Sequence, residues 1–246
     1  MHNFTINKTG LEMFDVFRAY GLALAISGRY GKYRTSIQDV GYAFKINVPT
    51  RSLPTEIDQG LLEEKMEKWE DVFGTFRKRE KTKHPKERLK EILEEDYEKI
   101  LEIHQKPDFM PKFGNRLKDG MTLYQSIDNS ASKGFREEKR GYTYSEGTQL
   151  KVDKYSWAIA CLGAAFFGKW FRSFQGKNSI KISLIPNPLK VLLISHRDLH
   201  FKLGDLDKKI CKISGTTIIA HYTLKLIRFL ATKSFHVKYD SVVFNV

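Results

Sequence analysis

Apolar and polar residues follow patterns along this chain that are typical of both helices and strands. From Leu11 to Ile26, apolar groups occupy more than one face of a helical repeat, which predicts a central helix packed on several sides. Residues 154–175 include the most apolar stretch, WAIACLGAAFFG, and predict a second, mostly buried helix. We expect this helix to reach solvent near its carboxyl end, at Lys169 and Arg172.

A third helical pattern, rich in glutamate and lysine, fills residues 59–105. The pattern breaks near His84 and Pro85, so it predicts two helices. Charged residues three and four apart indicate solvated faces, whose ion pairs contribute about 0.2–0.5 kcal/mol each. The apolar positions of the second helix are Leu89, Ile92, Leu93, Tyr97, Ile100, Leu101 and Ile103.

Alternating patterns predict the strands. One strand is predicted to end at Pro49, with its apolar side formed by Val40, Tyr42, Phe44, Ile46 and Val48. Two further strand-like runs, SIKISLIPNP and KVLLISH, flank a turn signal at Pro186-Asn187-Pro188 and predict a hairpin. A helix over TTIIAHYTLKLIRFLATK and a closing strand over VKYDSVVFNV follow. The chain is therefore predicted to be α+β, with a helix-rich amino-terminal part and a mixed strand and helix carboxy-terminal part.

Positive charge is concentrated in the second half of the chain. The net charge is +13, yet residues 1–110 hold 19 Lys and Arg against 19 Asp and Glu, so the whole excess lies in residues 111–246. We therefore predict a charge-neutral packing and partner-contact part at 1–110 and a basic, nucleic-acid-binding part at 111–246. A generally basic protein composition is the alternative explanation.

A long irregular segment at residues 106–152 contains the main candidate for binding, SIDNSASKGFREEKRGYTYSEG. Its cations can neutralise phosphates, its amide and hydroxyl groups can hydrogen-bond phosphate oxygens or base edges, and its aromatic rings can stack on unpaired bases. A solvated loop without function is the alternative. The candidate residues are Asn129, Ser130, Ser132, Lys133, Arg136, Lys139, Arg140, Tyr142 and Tyr144.

Two smaller groups extend this candidate surface. Lys169 and Arg172 would continue a track of phosphate contacts beyond the predicted helix. Asn187 and Lys190, at the tip of the predicted hairpin, would form a rigid probe for a nucleic-acid groove. A simple turn is the alternative for the hairpin tip.

Sequence motifs give catalysis no support. His196, Arg197 and Asp198 spell the start of a kinase catalytic loop, but Leu203 stands where that loop needs asparagine. A metal-dependent nuclease that uses His196, Asp198 and His200 is one alternative function, and a structural protein-interaction subunit is another. We expect a non-catalytic protein with no metal and no cofactor.

Cysteine content and hydropathy indicate the compartment. The two cysteines, Cys161 and Cys211, form neither a disulfide framework nor a zinc-binding pattern. The start, MHNFTINKTG, lacks a secretory pattern, and the longest apolar run is too short to span a membrane. We expect a cytoplasmic protein with no membrane partner.

The order of several segments resembles a known family. GLALAIS and DVGYAFKI, then SIDNSASKGFR followed by EGTQL, and WAIACLGAAFF ahead of IPNP, together resemble the large (Cas8-like) subunits of type I CRISPR surveillance (Cascade) complexes. These features are distributed over most of the chain. The resemblance implies a non-catalytic, antiviral subunit that binds the short motif beside a DNA target and contacts crRNA. It also implies contacts with the other subunits of a ribonucleoprotein complex.

Overall fold

The computed structural model describes residues 1–63, 85–114, 117–123, 150–175, 178–193 and 238–245, together with Ala220 and Leu224. The helices in these residues are α1 (Glu12–Ser27), α2 (Gln59–Leu62), α3 (Pro85–Glu95), α4 (Tyr97–Gln105) and α5 (Lys154–Phe167). The strands are β1 (His2–Asn7), β2 (Ser36–Asp39), β3 (Ala43–Val48), β4 (Met121–Leu123), β5 (Leu150–Val152), β6 (Lys169–Gln175), β7 (Asn178–Leu192) and β8 (Lys238–Asn245). The predicted α+β class is confirmed.

The main sheet is antiparallel and has the strand order β1-β3-β2-β7-β6, with β8 also paired to β7. β6 and β8 both pair with Leu184 of β7, so they lie on opposite edges of that strand. β2 and β8 likewise both pair with Lys190, so β2 shares an edge of β7 with β6. A second, two-stranded sheet joins β4 to β5.

β2 and β3 form a hairpin where one strand was predicted. Gly41 has a positive φ of 86° in the turn, a conformation that glycine adopts without steric cost. Phe44, Ile46 and Val48 are buried as their alternation predicts, whereas Tyr42 lies in the turn and is exposed. The strand prediction is therefore confirmed for β3 and wrong about the turn before it.

The predicted hairpin at Pro186-Asn187-Pro188 is wrong. β7 continues through these residues, with a shift in register against β8 between Pro188 and Lys190, and Asn187 pairs with Asp240 of β8 instead of forming a tip. β6 and β2 pair with separate segments of the same edge of β7. Between these two segments, that edge has no partner among the described strands, and β8 pairs with the other edge. In a strand, the N–H groups of residues two apart point to the same edge. Pro186 and Pro188 have no N–H, and both can face the unpaired edge, where no strand hydrogen bond is lost.

The predicted helix over residues 154–175 is too long. α5 ends at Phe167, Gly168 is extended (φ −79°, ψ 151°), and KWFRSFQ forms β6. Lys169 and Arg172 therefore belong to a strand and not to the exposed end of a helix. The aromatic residues of this segment favour a strand once β7 provides a partner.

The glutamate- and lysine-rich segment at residues 59–105 ends in two short helices, α3 and α4. The second predicted helix divides at Asp96 into α3 and α4, and Ala220 and Leu224, inside the later predicted helix, are helical. The first predicted helix lies mostly in residues 64–84, outside the described residues. Of the seven predicted apolar positions, Ile103 is half-buried, and the buried ones are Leu89, Ile92, Leu93, Tyr97, Ile100 and Leu101.

The core forms where α1 crosses α5 above the sheet. A β-carbon on Gly21 would overlap the carbonyl oxygen of Ile159, and one on Gly163 would overlap that of Phe17, so the two backbones are in direct contact. α1 contacts β1, β2, β3 and β7 on its other side. The core therefore combines residues from both sides of position 110, and the functional division there stays a prediction.

Candidate nucleic-acid interface

The sheet has a polar outer face, opposite the one that α1 covers. The inner residues Phe4, Ile6, Ile37 and Ile46 are buried, and the residues that alternate with them point outwards. Among the outward residues, Gln38 is exposed. The position of the candidate site is therefore set by the same alternation that forms the core.

Cross-strand pairing aligns Lys45 and Lys190 on this outer face. Thr5 pairs with Lys45, Lys45 with Gln38, Gln38 with Lys190, and Lys190 with Lys238, so five strands contribute one residue each. We call these five residues the lysine row. Lys190 is exposed, and Lys45 is half-buried and donates from Nζ to Thr5 Oγ1 at 3.2 Å. Neighbouring positions in the row are one strand spacing apart, about 4.8 Å.

A second row runs beside the first. Asn3 pairs with Asn47, Asn47 with Ser36, and Ser36 with Leu192. Leu192 is exposed next to these amide and hydroxyl side chains. This row offers hydrogen-bonding groups and an apolar contact directly beside the cations of the lysine row.

Residues 28–34, GRYGKYR, form the basic turn between α1 and β2. Tyr30 is 74% exposed, and the Arg29 guanidinium carbon lies 5.7 Å from the centre of its ring. Lys32 Nζ lies 5.8 Å from the centre of the Tyr33 ring, and Arg34 is exposed. Both cations lie within the range of cation–π attraction. The turn is followed by β2, which contributes Gln38 to the lysine row, so the cations of the turn are a few residues along the chain from that row.

Asp58 holds the basic turn in place. Its Oδ2 accepts a hydrogen bond from the backbone N–H of Arg29 at 2.6 Å, and its Oδ1 accepts one from that of Gly60 at 2.9 Å. Gly28 has a φ of 68°, and a β-carbon there would collide with the Asp58 carboxylate. A glycine is therefore required where α1 ends.

The structure describes only part of the predicted site. Lys190 is exposed and belongs to the lysine row, whereas Asn187 lies within β7. The predicted placements of Lys169 and Arg172 on a helix end and of Asn187 at a hairpin tip are wrong. The loop residues Asn129, Ser130, Ser132, Lys133, Arg136, Lys139, Arg140, Tyr142 and Tyr144, like His196, Asp198 and His200, lie outside the described residues.

Sequence reasoning missed the basic turn. Its signal is local, because the string GRYGKYR places three cations and two tyrosines within seven residues. Residues 1–110 as a whole carry equal numbers of positive and negative charges, so this local cluster of cations does not appear in their net charge. The lysine row has no such signal, since Lys45, Gln38 and Lys190 are far apart in the sequence.

A buried polar cluster fixes the start of α1. Arg18 and Asp15 are fully buried and form an ion pair at 3.1 Å, and Arg18 also donates from Nη1 to the carbonyl oxygen of Asn7. Asp15 accepts hydrogen bonds from the N–H groups of Thr9 and Gly10. Burial raises the pKa of Asp15 and lowers that of Arg18, and their mutual attraction opposes both shifts.

His104 belongs to the same buried region. Its Nδ1 lies 2.7 Å from the carbonyl oxygen of Ile100, which can only accept, so Nδ1 carries the proton. Burial, helped by the positive charge of Arg18, lowers the pKa of His104 to about 3. The imidazole is therefore neutral at physiological pH and packs edge-on against Phe109.

Replacing His104 by asparagine is expected to make the free energy of unfolding less dependent on pH. Below the ordinary histidine pKa, about 6.5, the unfolded chain gains a proton that the folded chain excludes. Stability is therefore lost as the pH falls from about 6.5 towards 3, by up to about 1.4 kcal/mol per pH unit. His104→Asn keeps a donor for Ile100 but does not titrate. Urea unfolding at several pH values measures the slope, and equal slopes would contradict the neutral histidine.

Within the described part of the chain, no helix is long and apolar enough to cross a membrane, and no group of three His, Cys, Asp or Glu residues is arranged to hold a metal ion. Cys161 is buried there.

The fold and this face define a mixed α+β protein with a polar, partly exposed outer sheet face. No protein-family model matches the chain. The chain is similar to an uncharacterized protein of Archaeoglobus fulgidus, with 31% identity over 221 residues that cover 85% of this chain and 56% of that protein. The chain thus spans little more than half the length of this relative.

Proposed function

We propose that this chain is a non-catalytic, nucleic-acid-binding subunit of a multi-subunit CRISPR interference complex, which contacts target DNA at its adjacent motif and crRNA. The observation that supports nucleic-acid binding is the outer sheet face, where the lysine row crosses β2 a few residues after the basic turn. The sequence resemblance to large subunits of type I CRISPR surveillance complexes supports the place in a complex.

The charges on this face suit a phosphate backbone. Lys45 and Lys190 are separated by two strand spacings, about 10 Å, and the basic turn adds Arg34. Each phosphate neutralised by a cation releases counterions, which makes binding weaken steeply with salt. Lys8 is different, because its ammonium is already paired with Asp39 at 2.7 Å. Phosphate binding therefore depends on the lysine row and the turn.

The alanine variant at Lys45, Lys190 and Arg34 is expected to bind nucleic acid more weakly and with a smaller salt dependence. Each lost phosphate contact should reduce the salt slope by about one unit. Fluorescence anisotropy with double-stranded DNA, single-stranded DNA and RNA over a salt series measures both quantities. A matched variant that removes Lys90 of α3, Lys99 of α4 and Lys106, which directly follows α4, should keep the slope of the unmodified chain.

The same titration tests the predicted loop and the alternative functions. Replacing Lys133, Arg136, Lys139 and Arg140 together by alanine should also reduce the slope, and an unchanged slope would remove that loop from the interface. No binding at any salt would contradict the proposal and favour a protein-interaction role. Cleavage with a divalent metal, abolished by Asp198→Ala, would favour a nuclease.

A further inference from the structure

A cleft of about 660 Å³ opens beside the basic turn. It lies between the carboxyl end of α1, the turn itself and residues 54–59. Its volume falls within the range of about 300–1,000 Å³ that is usual for small-molecule sites. The cleft is therefore large enough for one nucleotide, and it adjoins the cations that would hold a phosphate backbone.

One side of the cleft is rich in hydrogen-bond acceptors. Asp58 and Glu56 contribute carboxylates, and α1 ends there with the negative end of its dipole. Each oxygen of Asp58 accepts one hydrogen bond from the backbone, and a carboxylate has about four acceptor positions. Such a surface favours a ligand group that donates hydrogen bonds and disfavours a simple anion.

The side of the cleft formed by the basic turn has the opposite character. Tyr30 and Lys32 line it, and the Tyr30 ring is 74% exposed. Arg29 lies over that ring and also donates from Nη1 to the carbonyl oxygen of Gly60 at 3.4 Å, which links the two walls. An aromatic surface with cations around it suits a base that stacks while its phosphate stays outside.

We propose that this cleft binds a single unstacked base that carries an exocyclic amino group, within a single-stranded segment of nucleic acid. This inference rests on the proposed nucleic-acid function and assigns it a second element of recognition. Tyr30 stacks on the base, Glu56 and Asp58 accept from its amino group, and Lys32 contacts the adjoining phosphate. Adenine, cytosine and guanine each have such an amino group, whereas thymine has none.

Oligocytidine and oligothymidine of about 12 nucleotides test the inference, because their bases differ at the amino group that the cleft would bind. The full chain is expected to bind the cytidine oligomer about 10-fold more tightly. Tyr30→Ala should weaken binding of the cytidine oligomer about 10-fold, and Glu56→Gln should reduce the preference for cytidine. Tyr42→Ala is the matched control, since this tyrosine is 68% exposed but belongs to the β2–β3 turn.

A single 2-aminopurine within an oligothymidine gives an independent signal. Its fluorescence should fall when the base stacks on Tyr30, and this change should be lost in Tyr30→Ala but kept in Tyr42→Ala. Salt-dependent binding with equal affinity for both oligomers, and with no effect of Tyr30→Ala, would contradict base binding in the cleft. The proposed function would be unaffected. Absence of binding to every nucleic acid at low salt would overturn both.

Discussion

Replacing Gly163 by alanine is expected to lower the free energy of unfolding by about 3 kcal/mol or more. The new methyl group would overlap the carbonyl oxygen of Phe17 and approach the backbone nitrogen of Gly21, both in α1. Overpacking a well-packed core costs about 1–3 kcal/mol, and more where the neighbour cannot move. Here the neighbour is the backbone of a buried helix, so α1 and α5 would have to separate.

Urea or thermal unfolding followed by circular dichroism measures this loss. Gly41→Ala is the matched control, because its β-carbon would meet open space and only the positive φ of 86° would cost energy. That cost is about 1–2 kcal/mol. Equal losses in the two variants would mean that the crossing of α1 and α5 is not as close as described.

Replacing Arg18 by methionine is expected to destabilise the protein by about 3–5 kcal/mol. The substitution leaves the Asp15 carboxylate buried without its ion-pair partner, the situation in which a broken buried pair is most costly. Thr9 and Gly10 would still donate to Asp15, but they cannot replace a full positive charge. Urea unfolding at neutral pH measures the effect.

The double variant Asp15→Asn, Arg18→Met is the control, since it removes both charges together. Within the described residues, Nε and Nη2 of Arg18 have no hydrogen-bond partner, so methionine also removes two buried donors that stabilise nothing. The double variant should therefore be more stable than Arg18→Met alone. If it were equally or less stable, the Asp15 charge would not be the cause of the loss.

The pH dependence of Arg18→Met provides a second check. Burial already raises the pKa of Asp15, and loss of the arginine should raise it further. A group with a raised pKa in the folded state binds its proton more tightly there than in the unfolded chain. The deficit relative to the unmodified chain should therefore be largest at neutral pH and shrink on acidification.

Helices and strands with a continuous local pattern are predicted correctly, and those that depend on distant partners are not. α1 and β3 are predicted because their apolar repeats extend over the whole element. Residues 169–175 were predicted as helix because the apolar pattern of α5 continues into them, and only pairing with β7 makes them a strand. Proline at 186 and 188 predicted a turn, since the sequence does not reveal that one edge of β7 is unpaired there.

In the candidate site, too, only features made of neighbouring residues in the sequence can be predicted. The cations and tyrosines of the basic turn are adjacent in the sequence, so a local search could have found them. The lysine row joins positions 5, 45, 38, 190 and 238, and the cleft joins the end of α1 to residues 54–59. Neither can be predicted before the strand register and the loop packing are known.

The α+β class, the two apolar helices at the core and the basic character of the chain can be predicted without a structure, because helical and alternating repeats and net charge are local or summed properties. The extent of β6 and β7, the alignment of the lysine row and the burial of Arg18 beside His104 are set by tertiary contacts. These features depend on which distant segments pair and pack, and free energy from such contacts overrides the local preference of a short segment.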